Sequence, residues 1–364
     1  MSIGNGVNLQ PAYYGIKGAV DFGWNLLKDP VIETVRIEIE PHRPPDHPHP
    51  LPWAIGWIQQ ACGHGKTVIA TYHDNEVIKE GATKPNHDVK ELMAAANWWW
   101  GNYNTLLHRE ASHLVQMHDT LPKIAEQYYG DPTKTNAISS EKANTSILKN
   151  LSGSVGQTLI IPPTPRRLLI NLMNEWGDKT VTANQYADAY NPAIKIVRQK
   201  YPADQPIIID VPGGQETAVA ASAVNGPGTD GGTDGGAHGR RINDGNFILS
   251  VHIYPGSKIH HPKGSSSLTP NRALTIADLD DLASAKRPCM IGEFGVGGPG
   301  MTDVKALVSH AKSIGWPVLG WAWNGDDTAL KMNMVAPSWQ RNVYTPVTGK
   351  NSAYWGAIYP LLVK

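Results

Sequence analysis

Cysteine is almost missing: Cys62 and Cys289 are the 2 in a chain of 364 residues. They lie far apart, which excludes a disulfide framework or a zinc-ligand spacing, and each sits in an apolar stretch where a free thiol packs as a small hydrophobe. An excess of either charge is missing as well. Lys and Arg number 32, Asp and Glu number 32, and the pI is about 7.3, so no basic surface able to grip a phosphate backbone is expected and nucleic acid is excluded as a partner. No apolar run approaches the length of a membrane span, so no membrane partner is expected. The start, MSIGNGVNLQ, has neither the charged beginning nor the apolar stretch of a signal peptide, so the chain as written is expected to be cytoplasmic, exported without a signal, or trimmed of a leader. Phenylalanine is scarce, with 3 residues against 12 Trp and 13 Tyr. That balance favours rings with a polar edge beside an apolar face, the kind on which sugars lie, although most of the tryptophans are expected in the core.

Two glutamates stand out from this background, each closing an apolar run. Residues 168–175 read LLINLMNE and residues 288–294 read PCMIGEF, and both are followed by turn residues. Such runs have the length and content of strands buried on both faces. In a β/α barrel the C-terminal ends of the strands open onto the active-site face, so Glu175 and Glu293 are candidates for an acid and nucleophile pair. Either one alone could equally be a strand-end salt bridge.

Eight strand-like runs occur in all, at 6–10, 34–39, 67–73, 168–175, 206–211, 246–254, 288–294 and 317–323, alternating with helical patterns such as 89–107, 183–200 and 276–285. The alternation predicts an α/β fold, a (β/α)8 TIM barrel. A doubly wound sheet would want a glycine fingerprint after the first strand, and Asn8-Leu9-Gln10-Pro11 is not one. One interval breaks the rhythm. Between Leu107 and Leu168, where a short connection is expected, lies a stretch with its own pattern. Asp119 is a helix N-cap candidate, Leu121, Ile124, Ala125 and Tyr128 mark one helical face, a second helix is centred on Lys142-Ala143-Asn144, and Thr158-Leu159-Ile160-Ile161 closes as a strand. This is a βααβ unit inserted between helix 3 and strand 4.

That segment, residues 112–163, resembles a LysM domain. Asp119-Thr120-Leu121, Ile124-Ala125, Tyr128-Tyr129-Gly130-Asp131, Ala143-Asn144 and the run from Gly156 through Pro162 fall in the family's order, with His118 and Val155 replacing its usual glycine and proline. The resemblance implies binding of an N-acetylglucosamine polymer such as peptidoglycan or chitin, between Asp119, Thr120 and Leu121 on one side and the 149–153 loop, with Leu151 and Ser152, on the other.

The flanking parts, 1–110 and 165–364, resemble glycoside hydrolase family 5 across all eight strands. The residues that carry it are Arg36 in strand two, His73 after strand three, Asn174-Glu175 after strand four, His252 and Tyr254 at strand six, Glu293 in strand seven, and Trp321 and Trp323 in strand eight. The resemblance implies a retaining endo-β-1,4-glycanase, with Glu175 as general acid/base, Glu293 as nucleophile, Asn174 on the substrate 2-hydroxyl, and Arg36 and Tyr254 orienting Glu293. Arg36 would keep Glu293 ionised, and Glu175, less well paired, is expected to hold its proton to higher pH. His73 and His252 are expected at the substrate or a glutamate. Trp323 is expected to floor the reacting subsite, sharing a strand face with Trp321.

The eighth-strand GWAWNGDD resembles the corresponding stretch of family 5 mannanases, so β-mannan leads and cellulose follows. A hydrolase of peptidoglycan, chitin or chitosan and a non-catalytic sugar-binding protein are the other readings. No cofactor or metal is expected, the chain is expected to be a monomer, and the function implies a secreted or periplasmic setting.

Elsewhere, His42, His47 and His49 in EPHRPPDHPHPLPW read as part of a stiff proline-rich wall ahead of a metal site. The Gly/Asp-rich stretch 225–246 reads as a flexible linker ahead of a calcium loop. Trp98, Trp99 and Trp100 read as core plus contact with the inserted module, and Tyr13, Tyr14, Trp53 and Trp339 as further sugar platforms. The module, placed in a helix-to-strand connection, is expected at the end of the barrel away from the cleft.

Overall fold

The computed structural model describes residues 3–11, 22–39, 51–73, 88–108, 111–129, 132–162, 168–226, 241–260, 272–326, 331–339, 347 and 349–363. Tyr13, Tyr14, His42, His47, His49 and most of the 225–246 stretch lie outside them, and with them the expectations placed there. Among the described residues eight parallel strands close into a barrel: β1 (Gly6–Leu9), β2 (Thr34–Ile39), β3 (Thr67–Tyr72), β4 (Leu168–Asn171), β5 (Ile207–Asp210), β6 (Phe247–Ile253), β7 (Cys289–Phe294) and β8 (Val318–Asn324). Neighbours in the barrel are neighbours in the chain, and β8 closes on β1. The helices that cover it are α1 (Trp24–Leu27), α2 (Leu51–Gly63), α3 (Val89–His108), α4 (Ala183–Val197), α5 (Thr217–Asn225), α6 (Ile276–Ala283), α7 (Val304–Ser313) and α8 (Ala353–Leu362). None of the described helices is long and apolar enough to cross a membrane.

The strands are buried on both faces because helices cover the outside and side chains fill the inside. Side chains two apart on a strand share a face, which gives the barrel interior a vertical order. At its base, Ile69, Leu169, Ile208, Ile248, Met290 and Leu319, one from each of β3 to β8, form a separate apolar plug. Two residues further along, the same strands present Thr71, Asn171, Asp210, Ser250 and Gly292. The interior thus changes from apolar to polar in one step toward the C-terminal mouth. Polar groups buried there need partners inside the protein, and the chemistry of the molecule collects where they meet.

One expectation about the strands needs correction. Strand β4 ends at Asn171 rather than Glu175. Beyond it Leu172 N–H still bonds Ile208 O and Asn174 N–H bonds Tyr72 O, and the chain then turns through Glu175 with φ +48°. The reading of the α3 tryptophans as core holds for Trp99 and Trp98. Trp99 is buried and donates Nε1–H to Leu172 O at 3.0 Å, Trp98 meets Tyr72 edge-on, and Lys200 Nζ lies 4.4 Å above Trp100.

The segment after α3 forms its own small unit. Its first and last strands, Ala111–Leu114 and Thr158–Ile161, pair antiparallel, with Ser112 opposite Ile160. Between them run helices Leu121–Tyr129, Thr135–Ser139 and Thr145–Leu148. The helical face read from sequence is present: Ile124 and Ala125 are buried with Val115, Ile138, Ile147, Leu159 and Ile161, and Leu121 and Tyr128 pack against them. Asp119 is not the helix cap. It accepts Gln116 N–H and lies 2.7 Å from His113 Nε2, stabilising the preceding turn, while Thr120 Oγ1 accepts Lys123 N–H in the N-cap manner. The unit leans on α2, where the Tyr128 ring stands 3.5 Å from the place a side chain on Gly63 would take. Gly63 ends α2 just before β3 begins, so this contact lies at the end of the barrel opposite the strand C-termini.

Asn144 ties the unit together. Fully buried, it donates to Ile138 O and Ile160 O and accepts Ile160 N–H at 2.8 Å. Asn144→Ala takes the partner from two half-buried backbone groups, the N–H and C=O of Ile160, at a cost of about 1–3 kcal/mol each. The expected outcome is rapid proteolysis within residues 112–161 and faster amide exchange at Ile160, with the barrel strands still protected.

Candidate active site

The polar layer at the barrel mouth is organised by Arg36, whose side chain is about 1% exposed. Its Nη1 donates to Glu293 Oε1 at 2.7 Å, Asn8 Oδ1 at 3.0 Å and Glu38 Oε1 at 3.1 Å. Its Nη2 donates to Asn174 Oδ1 at 2.6 Å and Asn171 Oδ1 at 3.1 Å. Glu293, on β7, is the most tightly held of the glutamates at the mouth. Besides Arg36 it accepts the Tyr254 O–H on Oε2 at 2.5 Å. Burial alone would raise its pKa, but His252, Arg36, the Tyr254 hydrogen bond and His73 outweigh burial and hold it below the usual carboxylate range. It is therefore ionised over the working range of pH.

Glu175 faces the same space from the turn after β4. Its side chain is 34% exposed, against 5% for Glu293. Its Oε1 lies 2.7 Å from His252 Nδ1, and its backbone N–H donates to Asp210 Oδ2 at 2.9 Å. Gly214, at φ +74°, makes room for it: a Cβ there would stand 2.6 Å from Glu175 Oε1. His252 lies between the two carboxylates, with Nδ1 also 3.4 Å from Glu293 Oε1 and Nε2 3.5 Å from Asp210 Oδ2. Burial would depress its pKa, but Glu293, Asp210 and Glu175 together raise it to about 9. The imidazole is thus a cation at neutral pH. Donor atoms of Glu175, His252 and Glu293 all fall within 4.8 Å of one another. A metal ion could span that distance, but Arg36 and the imidazolium already supply the positive charge beside both carboxylates, and the arrangement suits proton transfer.

The other residues picked from the sequence sort as follows. Asn174 is buried beside Arg36, Tyr254 is half-buried on Glu293, and His73 is buried at the end of β3, with Nε2 3.4 Å from Glu38 Oε2. Trp321 is half-buried at the mouth. Its ring meets Tyr254 edge-on at 6.4 Å, its Nε1–H donates to Asp326 Oδ1 at 2.8 Å, and its carbonyl accepts from Tyr354 O–H. Trp323 is not beside it. It is fully buried, donates Nε1–H to Phe22 O at 2.6 Å and packs edge-on against Trp355 of α8. The reason is a break in register: Val7 of β1 pairs with Gly320 but Leu9 pairs with Asn324, so β8 carries extra residues there and the two-residue alternation fails. The expected floor at Trp323 is thus corrected, and Trp321 occupies the mouth. Trp339 is likewise core, against Phe22, and Trp53 is half-buried near Trp57 on α2. In the inserted unit Leu121 and Leu151 pack partly against its core, while Ser152 Oγ bonds Asn150 Oδ1.

Four members of the polar layer escaped sequence reading: Asn8, Glu38, Asn171 and Asp210. The signal that could have found them is their place on the inward face near a strand end, as in IEI of β2 and IIID of β5. Glu38 is fully buried, and burial pushes its pKa up to about 8 despite Arg36 beside it.

Two carboxylates thus share the mouth of a (β/α)8 barrel, Glu293 on β7 locked and ionised and Glu175 in the turn after β4 partly exposed. Residues 109–327 match the family model described as cellulase (glycosyl hydrolase family 5), and the chain belongs to that family. Among solved structures it is similar to the mannanase catalytic domain of Streptomyces sp. SirexAA-E, at 18% identity and TM-score 0.55 over 98% of this chain and 83% of that one. It is similar to the β-mannanase of Thermomonospora fusca, at 15% identity and TM-score 0.55 over 98% and 88%. It also resembles the endoglucanase Cel5A (E5) catalytic domain of Thermobifida fusca, at 11% identity and TM-score 0.52 over 99% and 92%. These likenesses concern the fold. No curated protein matches the chain.

The raised pKa of His252 links stability to pH. In the unfolded chain an imidazole titrates near 6.5, and in the fold near 9, so its contribution is complete below about 6.5 and is lost as pH rises through 9. Glu38, raised from 4.5 to about 8, adds a decline of the same sign over its lower window. Above pH 8 Lys66, whose pKa burial lowers to about 8, adds stability with rising pH and opposes His252, so the melting temperature is expected to fall from pH 6.5 to 8 and His252→Gln to make that fall shallower. A variant with the full decline there would assign it to other groups.

Proposed function

We propose that this family 5 hydrolase is a retaining endo-β-1,4-glycanase in which Glu175 is the general acid/base and Glu293 the nucleophile. The observation that carries the reading is the closeness of the two carboxylates, with donor atoms within 4.8 Å through His252. Retaining enzymes hold their carboxyl groups about 5–5.5 Å apart, whereas inverting ones leave about 6.5–9.5 Å for a water. Their surroundings divide the roles. Glu293, on Arg36 and Tyr254, is kept ionised for attack, while Glu175, more exposed and bonded to His252, can pass a proton to the leaving oxygen and later take one from water. Asn174, with its carbonyl anchored on Arg36, turns its amide end toward the sugar 2-hydroxyl, and Trp321 floors the reacting subsite.

β-Mannan is favoured over cellulose on the eighth-strand resemblance, with mannanases among the structural neighbours. Glu293→Gln is expected to abolish turnover in a folded protein. Glu175→Ala should cost about 10²- to 10⁴-fold on polysaccharide and less on activated aryl glycosides. Proton NMR of the first-formed product should show the β-anomer, and the α-anomer would refute retention.

We also propose that residues 112–163 are a LysM module tethering the enzyme to an N-acetylglucosamine polymer, with Asp119, Thr120, Leu121, Leu151 and Ser152 at its sugar-binding edge. The small independent core, the paired terminal strands and the contact at the Gly63 end of α2 support this reading. Replacing 112–163 by a short linker is expected to leave hydrolysis of soluble oligosaccharides nearly unchanged and to weaken sedimentation with chitin or peptidoglycan. Loss of soluble-substrate activity in a folded deletion would refute the tether.

A further inference from the structure

One carboxylate at the mouth has no part in the reaction assigned above. Asp210, the last residue of β5, is fully buried. Its Oδ2 accepts the backbone N–H of Glu175 at 2.9 Å, and its Oδ1 accepts Asn171 Nδ2 at 3.1 Å. The same Oδ2 lies 3.5 Å from His252 Nε2 and 3.7 Å from Arg36 Nη2. Asp210 is itself fixed, because Tyr186 of α4 donates its O–H to the Asp210 carbonyl at 2.6 Å.

Glu175 needs such an anchor. At φ +48° it occupies the left-handed region, which a residue with a Cβ adopts only when its surroundings hold it there. A relaxed backbone would re-aim the carboxylate. The single backbone donor of Glu175 goes to Asp210, and the ring that bonds its side chain, His252, presents its other nitrogen to the same oxygen of Asp210. Both ends of Glu175 are therefore referred to one atom.

We propose that Asp210 is the positioning residue for the acid/base, holding Glu175 through its backbone N–H and through the His252 ring. The proposal rests on the assignment of Glu175 above. Proton transfer to a leaving group depends on the direction of that carboxylate, whereas attack by Glu293 does not, so loss of Asp210 has a chemical signature distinct from general loosening. A group that acts through the acid/base affects poor leaving groups most, and its loss is bypassed by a nucleophile that needs no base.

The test uses the full chain and Asp210→Ala, Asp210→Asn and Glu175→Ala. Substrates are β-mannan, carboxymethyl cellulose and the 2,4-dinitrophenyl β-glycosides of mannobiose and cellobiose, with and without azide, and thermal melting is recorded for each variant. Asp210→Ala is expected to lose about 10²-fold in kcat/KM on the polysaccharide that the wild type cleaves but less than about tenfold on the matching aryl glycoside, with azide raising aryl glycoside turnover. Asp210→Asn, which keeps an oxygen for the Glu175 N–H but loses the charge facing His252, should show the same pattern at smaller size. It decides the matter if Asp210→Ala does not fold. Equal losses on both substrate types without azide rescue, or wild-type kinetics, would overturn the proposal. Glu175→Ala separates the two claims. If azide fails to rescue it, the acid/base assignment falls; if azide rescues it but not the Asp210 variants, the positioning role alone falls.

Discussion

A guanidinium buried inside a barrel has to draw its hydrogen-bond partners from protein, because it cannot shed its proton. Arg36 does so at both Nη nitrogens, with Asn8 from β1, Glu38 from its own strand, Asn171 and Asn174 from β4 and the turn beyond it, and Glu293 from β7. Strands from opposite sides of the barrel are thereby tied to one cation. The dependence is mutual. Without Arg36, Glu293 would be a buried carboxylate with one of its two nearest cations gone, a far costlier state than losing a surface ion pair.

The difference between the two site glutamates follows from how deeply each is set in the barrel. Glu293 is in contact with Arg36 and is driven to the charged form. Glu175 is one residue beyond Asn174, which bonds Arg36; its carboxylate meets His252 and its backbone N–H meets Asp210. Depth in the barrel thus separates two chemically identical side chains, one sealed against Arg36 and one open to the mouth. Glu38 shows the opposite outcome on the same cation, since full burial raises its pKa even though Arg36 lies 3.1 Å away.

Much of the fold was legible because parallel barrel strands are buried on both faces, and runs such as TVRIEI and LLIN cannot be mistaken for amphipathic surface elements. The glutamates and their partners were legible because polar residues closing such runs have to lie at the mouth. Three things were not. The register break in β8 depends on pairing with β1, so nothing within GWAWN reveals that Trp323 turns to α8. The buried acids Glu38 and Asp210 look in sequence like ordinary strand ends, and only closure of the barrel brings them to Arg36 and His252. The role of Asp119 was misread because its partner, His113, lies on the strand before it, so a cap and a turn clasp look alike until the chain folds back.

The antiparallel pairing of Ala111–Leu114 with Thr158–Ile161 bears on how the chain assembles. Asn5 donates its side-chain amide to Leu362 O and accepts Val318 N–H, so β1 is tied to α8 and β8 across most of the sequence. An unstructured insertion between α3 and β4 would lengthen the loop that has to be closed, at an entropic cost that grows with the logarithm of its length. The inserted unit has its own core and brings its terminal strands together, so once folded it shortens the loop that the barrel has to close. Synthesis from the N-terminus would release that unit before five of the eight staves exist, and β4 would then emerge beside a finished knob rather than at the end of a slack chain.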